Sequence, residues 1–448
     1  MTEAILDVQD LEVHFPVFKG FVHRLLGGSG LNVHAVDGVT FSVPRGSVLG
    51  LVGESGCGKT TVARALIGLA KPTAGRITFE GKDVTARSRD DLVRLRQRIQ
   101  VVYQDPHGAM NPAMTIGEAI GDVVRTHGIV QEDGERIPAK SDAEVRAEVL
   151  RVLDDVGLRP PEFVHDKYPR ELSGGQKQRA VLARVLALRP RLVIADEPVA
   201  MLDMSVRARI LQLMLDLQSR YGLTYLFITH DLATAKFMCD EIAIMYLGRI
   251  VEMGPAKDIY ADPKHPYTRA LLQAIPVPDP ERRSEKVLPA GEVPDAIHPP
   301  AGCRFHPRCP VAMPTCGWEG RDFLAFLEER RLDPARAKEE AEALGDLEEW
   351  RSEGLDGMRK VRPDETAALR ARVEAILADA SEPMRRAVVG VRGDERAVVV
   401  TRMVTGVAPA AASVTELGVS EQVAVVGAPV QVRETAPENP PSEARLKV

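Results

Sequence analysis

The chain has 448 residues, 44% of them hydrophobic and 27% charged, with a formal net charge of −6. That length allows a two-part domain with a sizeable core plus an appendage. No stretch of 18 or more residues is free of charge and strong polarity, so nothing in it reads as a membrane-spanning helix, and the mild acidity argues against nucleic acid as a main partner.

Residues 1–10 lack the basic and apolar regions of a secretory signal, which predicts a cytoplasmic chain. Up to about residue 85 strands alternate with one helix. Val48, Leu49, Leu51 and Val52 form a buried-strand run, and residues 60–69 have helical spacing at Val62, Ala65, Leu66 and Leu69. Between them lies Gly53-Glu54-Ser55-Gly56-Cys57-Gly58-Lys59-Thr60, followed by Thr61. In a strand-to-helix turn, such glycines let backbone N–H groups converge on phosphate oxygens. Lys59 reaches the terminal phosphates, and the Thr60 hydroxyl can ligate Mg²⁺.

A charged helical stretch at 87–98 leads to the β-like Ile99-Gln100-Val101-Val102-Tyr103 and then Gln104, a neutral oxygen for Mg²⁺ or water. Residues 105–112 are rich in turn formers. Residues 115–179 read as mostly helical, with a polar surface insertion at 131–142. In Leu172-Ser173-Gly174-Gly175-Gln176, a serine and two glycines open a helix over 176–188, offering a hydroxyl, two N–H groups and a helix N-terminus to an anion. The apolar run 191–195 then ends in Asp196 and Glu197. At a strand end, Asp196 suits the Mg²⁺ shell and Glu197 suits polarising an attacking water. A third apolar run, 225–229, ends in His230, placed to contact a γ-phosphate or order that water.

In order and spacing these segments resemble the ATP-binding subunit of an ABC transporter. The resemblance implies an α/β fold of the P-loop NTPase class, a RecA-like core with a helical subdomain at about 105–180, within a nucleotide-binding domain over 1–256. It makes 53–60 the phosphate loop, Gln104 the Q-loop glutamine, 172–176 the signature, Asp203 the D-loop aspartate and His230 the switch histidine. Phe15 falls where the family stacks an aromatic ring on adenine. Ala200-Met201 stands before Leu202-Asp203 where the family often has Ser-Ala. The signature Ser173, Gly174, Gly175 and Gln176 is expected to cover ATP held by a facing subunit. One motif set per chain therefore implies a second ATPase, either a second copy or a related chain, the latter being the common arrangement.

Two further segments narrow the resemblance to oligopeptide and dipeptide importer ATPases, of the second-ATPase type. One is His14-Phe15-Pro16 with Lys19-Gly20 and Ala35-Val36-Asp37-Gly38. The other is His265-Pro266-Tyr267-Thr268-Arg269-Ala270-Leu271-Leu272, with Pro299-Pro300-Ala301-Gly302-Cys303-Arg304-Phe305-His306-Pro307-Arg308-Cys309, in a C-terminal region over 257–318. This implies ATP and Mg²⁺ as ligands, two transmembrane permease subunits and an extracytoplasmic solute-binding protein as partners, and a peripheral position on the cytoplasmic face of the membrane. The cargo class is peptide, with nickel or another small solute as the alternative. A soluble ABC ATPase of translation or DNA maintenance would usually carry two motif sets or long insertions, which are absent here.

Cys303, Cys309 and Cys316 are separated by five and six residues. Related importer ATPases place a fourth cysteine further on, and some carry an iron–sulfur cluster. No cysteine follows Cys316. A [4Fe-4S] cluster would need a non-cysteine ligand or an open iron, zinc could take His306 as fourth ligand, and reduced thiols in a structured loop are equally compatible. Residues 319–448 read as a small α+β or partly disordered appendage. Within it, amphipathic helices are expected at 322–349 and 365–378, a hairpin at 386–404 and a disordered segment around 437–441.

Overall fold

The computed structural model describes residues 3–17, 31–106, 108–130, 136–275, 291–300, 302–312, 316 and 327. It also describes the backbone of four short strands between 351 and 402. The chain divides into two compact units, residues 1–261 and 262–448.

The first unit opens with two long strands, β1 (Ala4–Val17) and β2 (Leu31–Pro44), paired antiparallel with several bulges. Their inward side chains, among them Leu6, Val8, Leu11, Val39 and Phe41, are buried. β3 (Val48–Val52) is buried along its whole length, as a central parallel strand must be when both faces are covered. α1 (Lys59–Leu66) follows the phosphate loop and buries Val62, Ala63, Ala65 and Leu66. β4 (Ala74–Phe79) and β5 (Lys82–Asp83) complete an antiparallel sheet ordered β2-β1-β4-β5. One core cluster joins this sheet, α1 and the parallel strands, with Leu6, Leu66, Leu51, Ile194 and Ile228 among its members.

α2 (Arg89–Arg98) begins at a Ser88–Asp91 capping box and leads into β6 (Ile99–Val102). The helical block follows with α3 (Ile116–His127), the short pair β7 (Ile129–Val130) and β8 (Arg136–Ile137), α4 (Asp142–Asp155), α5 (Pro161–His165) and α6 (Gly174–Leu186). α4 packs on α3, α5 and α6 through Val145, Val149 and Val152. β7, just before the expected polar insertion, pairs antiparallel with β8 inside it, and residues 131–135 lie outside the described residues.

β9 (Leu192–Asp196), α7 (Met204–Tyr221), β10 (Thr224–Thr229), α8 (Leu232–Met238), β11 (Glu241–Tyr246), β12 (Arg249–Pro255) and α9 (Ala256–Ala261) finish the unit. The second sheet runs β12-β11-β3-β10-β9-β6, parallel except for β12. Val52 pairs with Thr229, Ile228 with Asp196 and Val102 with Ala195. The carboxyl ends of four neighbouring strands are therefore level. A doubly wound sheet binds ligands at that edge.

In the second unit, α10 (Pro266–Ala274) begins at His265, and a single 3-10 turn spans His306–Arg308. Strands β13 (Arg351–Ser352), β14 (Gly357–Val361), β15 (Val388–Gly393) and β16 (Ala397–Arg402) make an antiparallel sheet ordered β13-β14-β16-β15. The expected hairpin is the β15–β16 pair. The helices expected at 322–349 and 365–378, apart from residue 327, and the segment 437–441 lie outside the described residues.

Candidate functional site: the carboxyl edge of the parallel sheet

The phosphate loop leaves β3 at Val52 and becomes α1 at Lys59. Its shape demands glycine at two places. A methyl group at Gly53 would lie 2.1 Å from the Met245 carbonyl oxygen, and one at Gly58, where φ is +109°, would lie 2.2 Å from that of Ala35. Lys59 is buried, and its Nζ donates to the carbonyls of Gly53 at 2.7 Å and Glu54 at 2.8 Å, so the ammonium lies curled over the loop. Ser55 and Gly56 are exposed, and Thr61 is half-buried just inside α1. Burial raises the Cys57 thiol and Lys59 only partly offsets this, so Cys57 is a packing residue of the loop.

Across the loop, Thr60 Oγ1 donates to Asp196 Oδ1 at 3.4 Å. Burial pushes the Asp196 carboxyl above its ordinary value, against the pull of the Thr60 hydrogen bond. A hydroxyl and a carboxylate facing each other are an oxygen pair of the kind Mg²⁺ takes, so these residues fit that ion. The next residue, Glu197, has φ +49°, and its N–H donates to the Ile228 carbonyl at 2.9 Å. This left-handed turn turns the carboxylate away from Asp196's course, toward the end of β10. There Glu197 Oε1 sits 2.8 Å from His230 Nδ1. The glutamate side chain is 16% exposed and the histidine 57%, so the pair has one anchored and one open member. Gln104 is exposed, two residues beyond Val102 on the neighbouring strand.

Ser173 caps α6. Its hydroxyl accepts from Gln176 N–H, and its own N–H donates to Gln176 Oε1 at 2.9 Å, which leaves Gly174 and Gly175 at the exposed opening of the helix. The glycines have a packing reason too. A methyl on Gly175 would fall 2.6 Å from Val206 Cγ1, and one on Gly174 3.4 Å from Leu202. Arg207 holds the intervening turn, donating to the carbonyls of Leu202 at 2.7 Å and Ala200 at 3.2 Å. Val206 and Arg207 are thus supporting residues that sequence reading missed. The one available signal was an arginine, Arg207, in the first turn of the helix that Asp203 precedes. Asp203 is exposed at that helix start, and Arg207 also borders a small cleft with Glu197, Ala200, His230 and Asp231. Phe15, opposite Val33 on β2, is 42% exposed, an apolar ring on the surface.

In the second unit, residues expected as two separate motifs meet. His265 is buried, its Nδ1 accepts from Tyr267 N–H at 3.1 Å, and its Nε2 lies 3.8 Å from Cys303 Sγ. Phe305 packs on the rings of Tyr267 and His265. Burial lowers the His265 imidazole to about 4 and raises the Cys303 thiol to about 11. Cys303 N–H donates to the Cys316 carbonyl at 2.7 Å, and His306 Nδ1 lies 2.8 Å from the Cys303 carbonyl oxygen. Among the described residues, Cys303, Cys309 and Cys316 do not bring three ligand atoms within 4.8 Å of one another. The geometry therefore gives an iron–sulfur cluster no support. The Cys303 thiol, the His265 imidazole and the rings of Tyr267 and Phe305 form a small packed cluster.

Residues 36–200 match the family model described as ABC transporter. Residues 251–316 match that described as oligopeptide/dipeptide transporter, C-terminal region. The oligopeptide transport ATP-binding protein OppF of Salmonella typhimurium is 44% identical over 316 residues, 70% of this chain and 91% of that protein. A putative peptide import ATP-binding protein of Brucella ovis is 46% identical over 317 residues, 70% of this chain and 93% of its own length. A probable peptide ABC transporter ATP-binding protein of Sinorhizobium fredii is 44% identical over 70% of this chain and 85% of its own. With relatives covered almost end to end, and with both family regions present in the right order, the chain belongs to the ABC transporter family, among ATP-binding proteins that carry the oligopeptide/dipeptide C-terminal region.

Proposed function

We propose that this chain is the energy-coupling subunit of an importer for oligopeptides or dipeptides, hydrolysing ATP on behalf of membrane subunits that form the channel. The observation that carries the chemistry is the pairing of Glu197 with His230 at 2.8 Å beside the Asp196–Thr60 pair. Thr60 and Asp196, with Gln104, would hold Mg²⁺, which neutralises phosphate charge when bound. Lys59 would exchange the Gly53 and Glu54 carbonyls for phosphate oxygens, while the loop and α1 N–H groups hold the remaining charge. Glu197 orients the attacking water. His230, fixed through Nδ1, presents Nε2 to the γ-phosphate side.

The exposed Ser173 and Gly174 and the half-buried Gly175 are suited to close over nucleotide on a facing ATPase, and a related but different chain is the partner we assign to that position. Two permeases and an extracytoplasmic solute-binding protein complete the assembly, with this chain peripheral on the cytoplasmic side. Among the described residues no helix is long and apolar enough to cross a membrane, which fits an attached subunit.

The experiment is ATP hydrolysis by the chain co-purified with its native membrane complex, with the cognate binding protein presented with peptides, nickel chelates or sugars. Stimulation by peptides is expected. Stimulation by nickel chelates alone would move the cargo to the metal-importing branch. Stimulation by ribosomes or DNA without a membrane partner would overturn the transport reading.

A further inference from the structure

Away from the chemistry above, two histidines and an aspartate meet on the first antiparallel sheet. His14 on β1 stands opposite His34 on β2, with ring centroids 4.2 Å apart. Both face one oxygen: Asp37 Oδ1 lies 3.0 Å from His14 Nε2 and 3.5 Å from His34 Nδ1. The Asp37 side chain is 4% exposed, the histidines 15% and 31%. Among the described residues this is the one set of three or more His, Cys, Asp or Glu side chains whose ligand atoms all lie within 4.8 Å of one another.

We propose that His14, His34 and Asp37 bind a divalent transition-metal cation of the zinc type. Two ligands held at about 2.0–2.1 Å by a tetrahedral ion lie about 3.3 Å apart, and the separations of 3.0 and 3.5 Å bracket that value. Imidazole nitrogen with carboxylate oxygen is a donor set suited to zinc. Among the described residues no fourth side chain joins this group, so water would complete the coordination, with Glu12 Oε2 3.9 Å from His14 Nε2 at its margin.

Arg249 stands nearby, its guanidinium 3.5 Å from Asp37 Oδ2. The cation would clasp β1 to β2 close to the phosphate loop. Asp37 N–H donates to the Gly248 carbonyl, and Gly248 N–H donates to the Cys57 carbonyl at 2.8 Å.

The test is zinc titration of the full chain, stripped with chelator, by calorimetry. It is run in parallel on His34→Gln and on a Cys303→Ser/Cys309→Ser/Cys316→Ser variant. His34 is partly exposed, so glutamine is compatible with the strand, and circular dichroism checks the fold.

One equivalent is expected to bind the native chain and the serine variant, with at least about tenfold weaker binding in His34→Gln. Cobalt(II) in the same site should show d–d bands without a thiolate charge-transfer band. Zinc should raise the melting temperature of the native chain and leave that of His34→Gln unmoved. Binding that survives His34→Gln, binding lost with the three cysteines, or no binding by the native chain would each overturn the site. A hydrogen-bonded His–Asp–His cluster alone would then remain.

Discussion

Two regions of this chain gather histidines with acidic or sulfur-bearing partners, and they do opposite things with them. At the carboxyl edge of the parallel sheet, Glu197 and His230 pair where the histidine keeps more than half its surface in solvent. In the second unit, His265 and Cys303 pair with the histidine buried, the imidazole lowered to about 4 and the thiol raised to about 11. The residue types suggest chemistry in both places. Burial separates them, because desolvation disfavours the charged form, so the buried imidazole stays neutral at neutral pH while the open one faces solvent.

The comparison breaks first, and most visibly, at Glu197. Glu197→Gln keeps the shape of the pair and removes the carboxylate, so hydrolysis in the assembled complex should fall by about two to four orders of magnitude. Nucleotide binding should persist, since the phosphate loop and Thr60 are untouched. Phosphate release and nucleotide retention, measured on the same preparation, check both halves. Turnover within threefold of the native complex would show that another group positions the water.

At His265 the expectation is a stability effect with a definite sign. Its folded value of about 4 lies below the ordinary histidine value, so the unfolded form binds more protons between roughly pH 6.5 and 4. Stability is therefore full near neutrality and falls as pH drops through that window, by about 2 kcal/mol between pH 7 and pH 5. Hydrogen-exchange protection of the α10 amides should show this loss. His265→Asn, which can still cap the helix but does not titrate, should flatten it. An equal pH slope in both proteins would mean that the imidazole is not held neutral.

Most of the first region was legible because its elements obey local rules. Buried runs such as Leu192–Asp196 announce parallel strands, and the expected helix at 60–69 and that at 176–188 appear as Lys59–Leu66 and Gly174–Leu186, displaced by a turn at most. What the sequence does not carry is the meeting of distant residues. His265 and Cys303 are 38 positions apart, and nothing in either motif says that one packs on the other. Spacing and resemblance together suggested the cysteines as ligands, and reduced thiols were equally compatible with both. The clasp of His14, His34 and Asp37 was hidden likewise, because it depends on a bulged register between two 14-residue strands.

The smallest expected effect concerns how the signature helix is seated, and it separates packing from ligand contact. Gly175 lies where a methyl group would come within 2.6 Å of Val206 Cγ1, the end of a half-buried side chain and not backbone. Gly175→Ala should therefore cost roughly 1–2 kcal/mol through overpacking, with Val206 forced from its rotamer and α6 pushed away from α7. If close approach of the two helices is the reason for glycine, then Val206→Ala in the same chain should restore most of the lost stability, and urea unfolding of the four proteins of the cycle measures this directly. Rescue of stability together with hydrolysis would make the glycine a packing residue. Rescue of stability with hydrolysis still impaired would place the added methyl in the path of a nucleotide on the facing subunit, and the open, solvent-facing character of the first region would then extend to its signature helix.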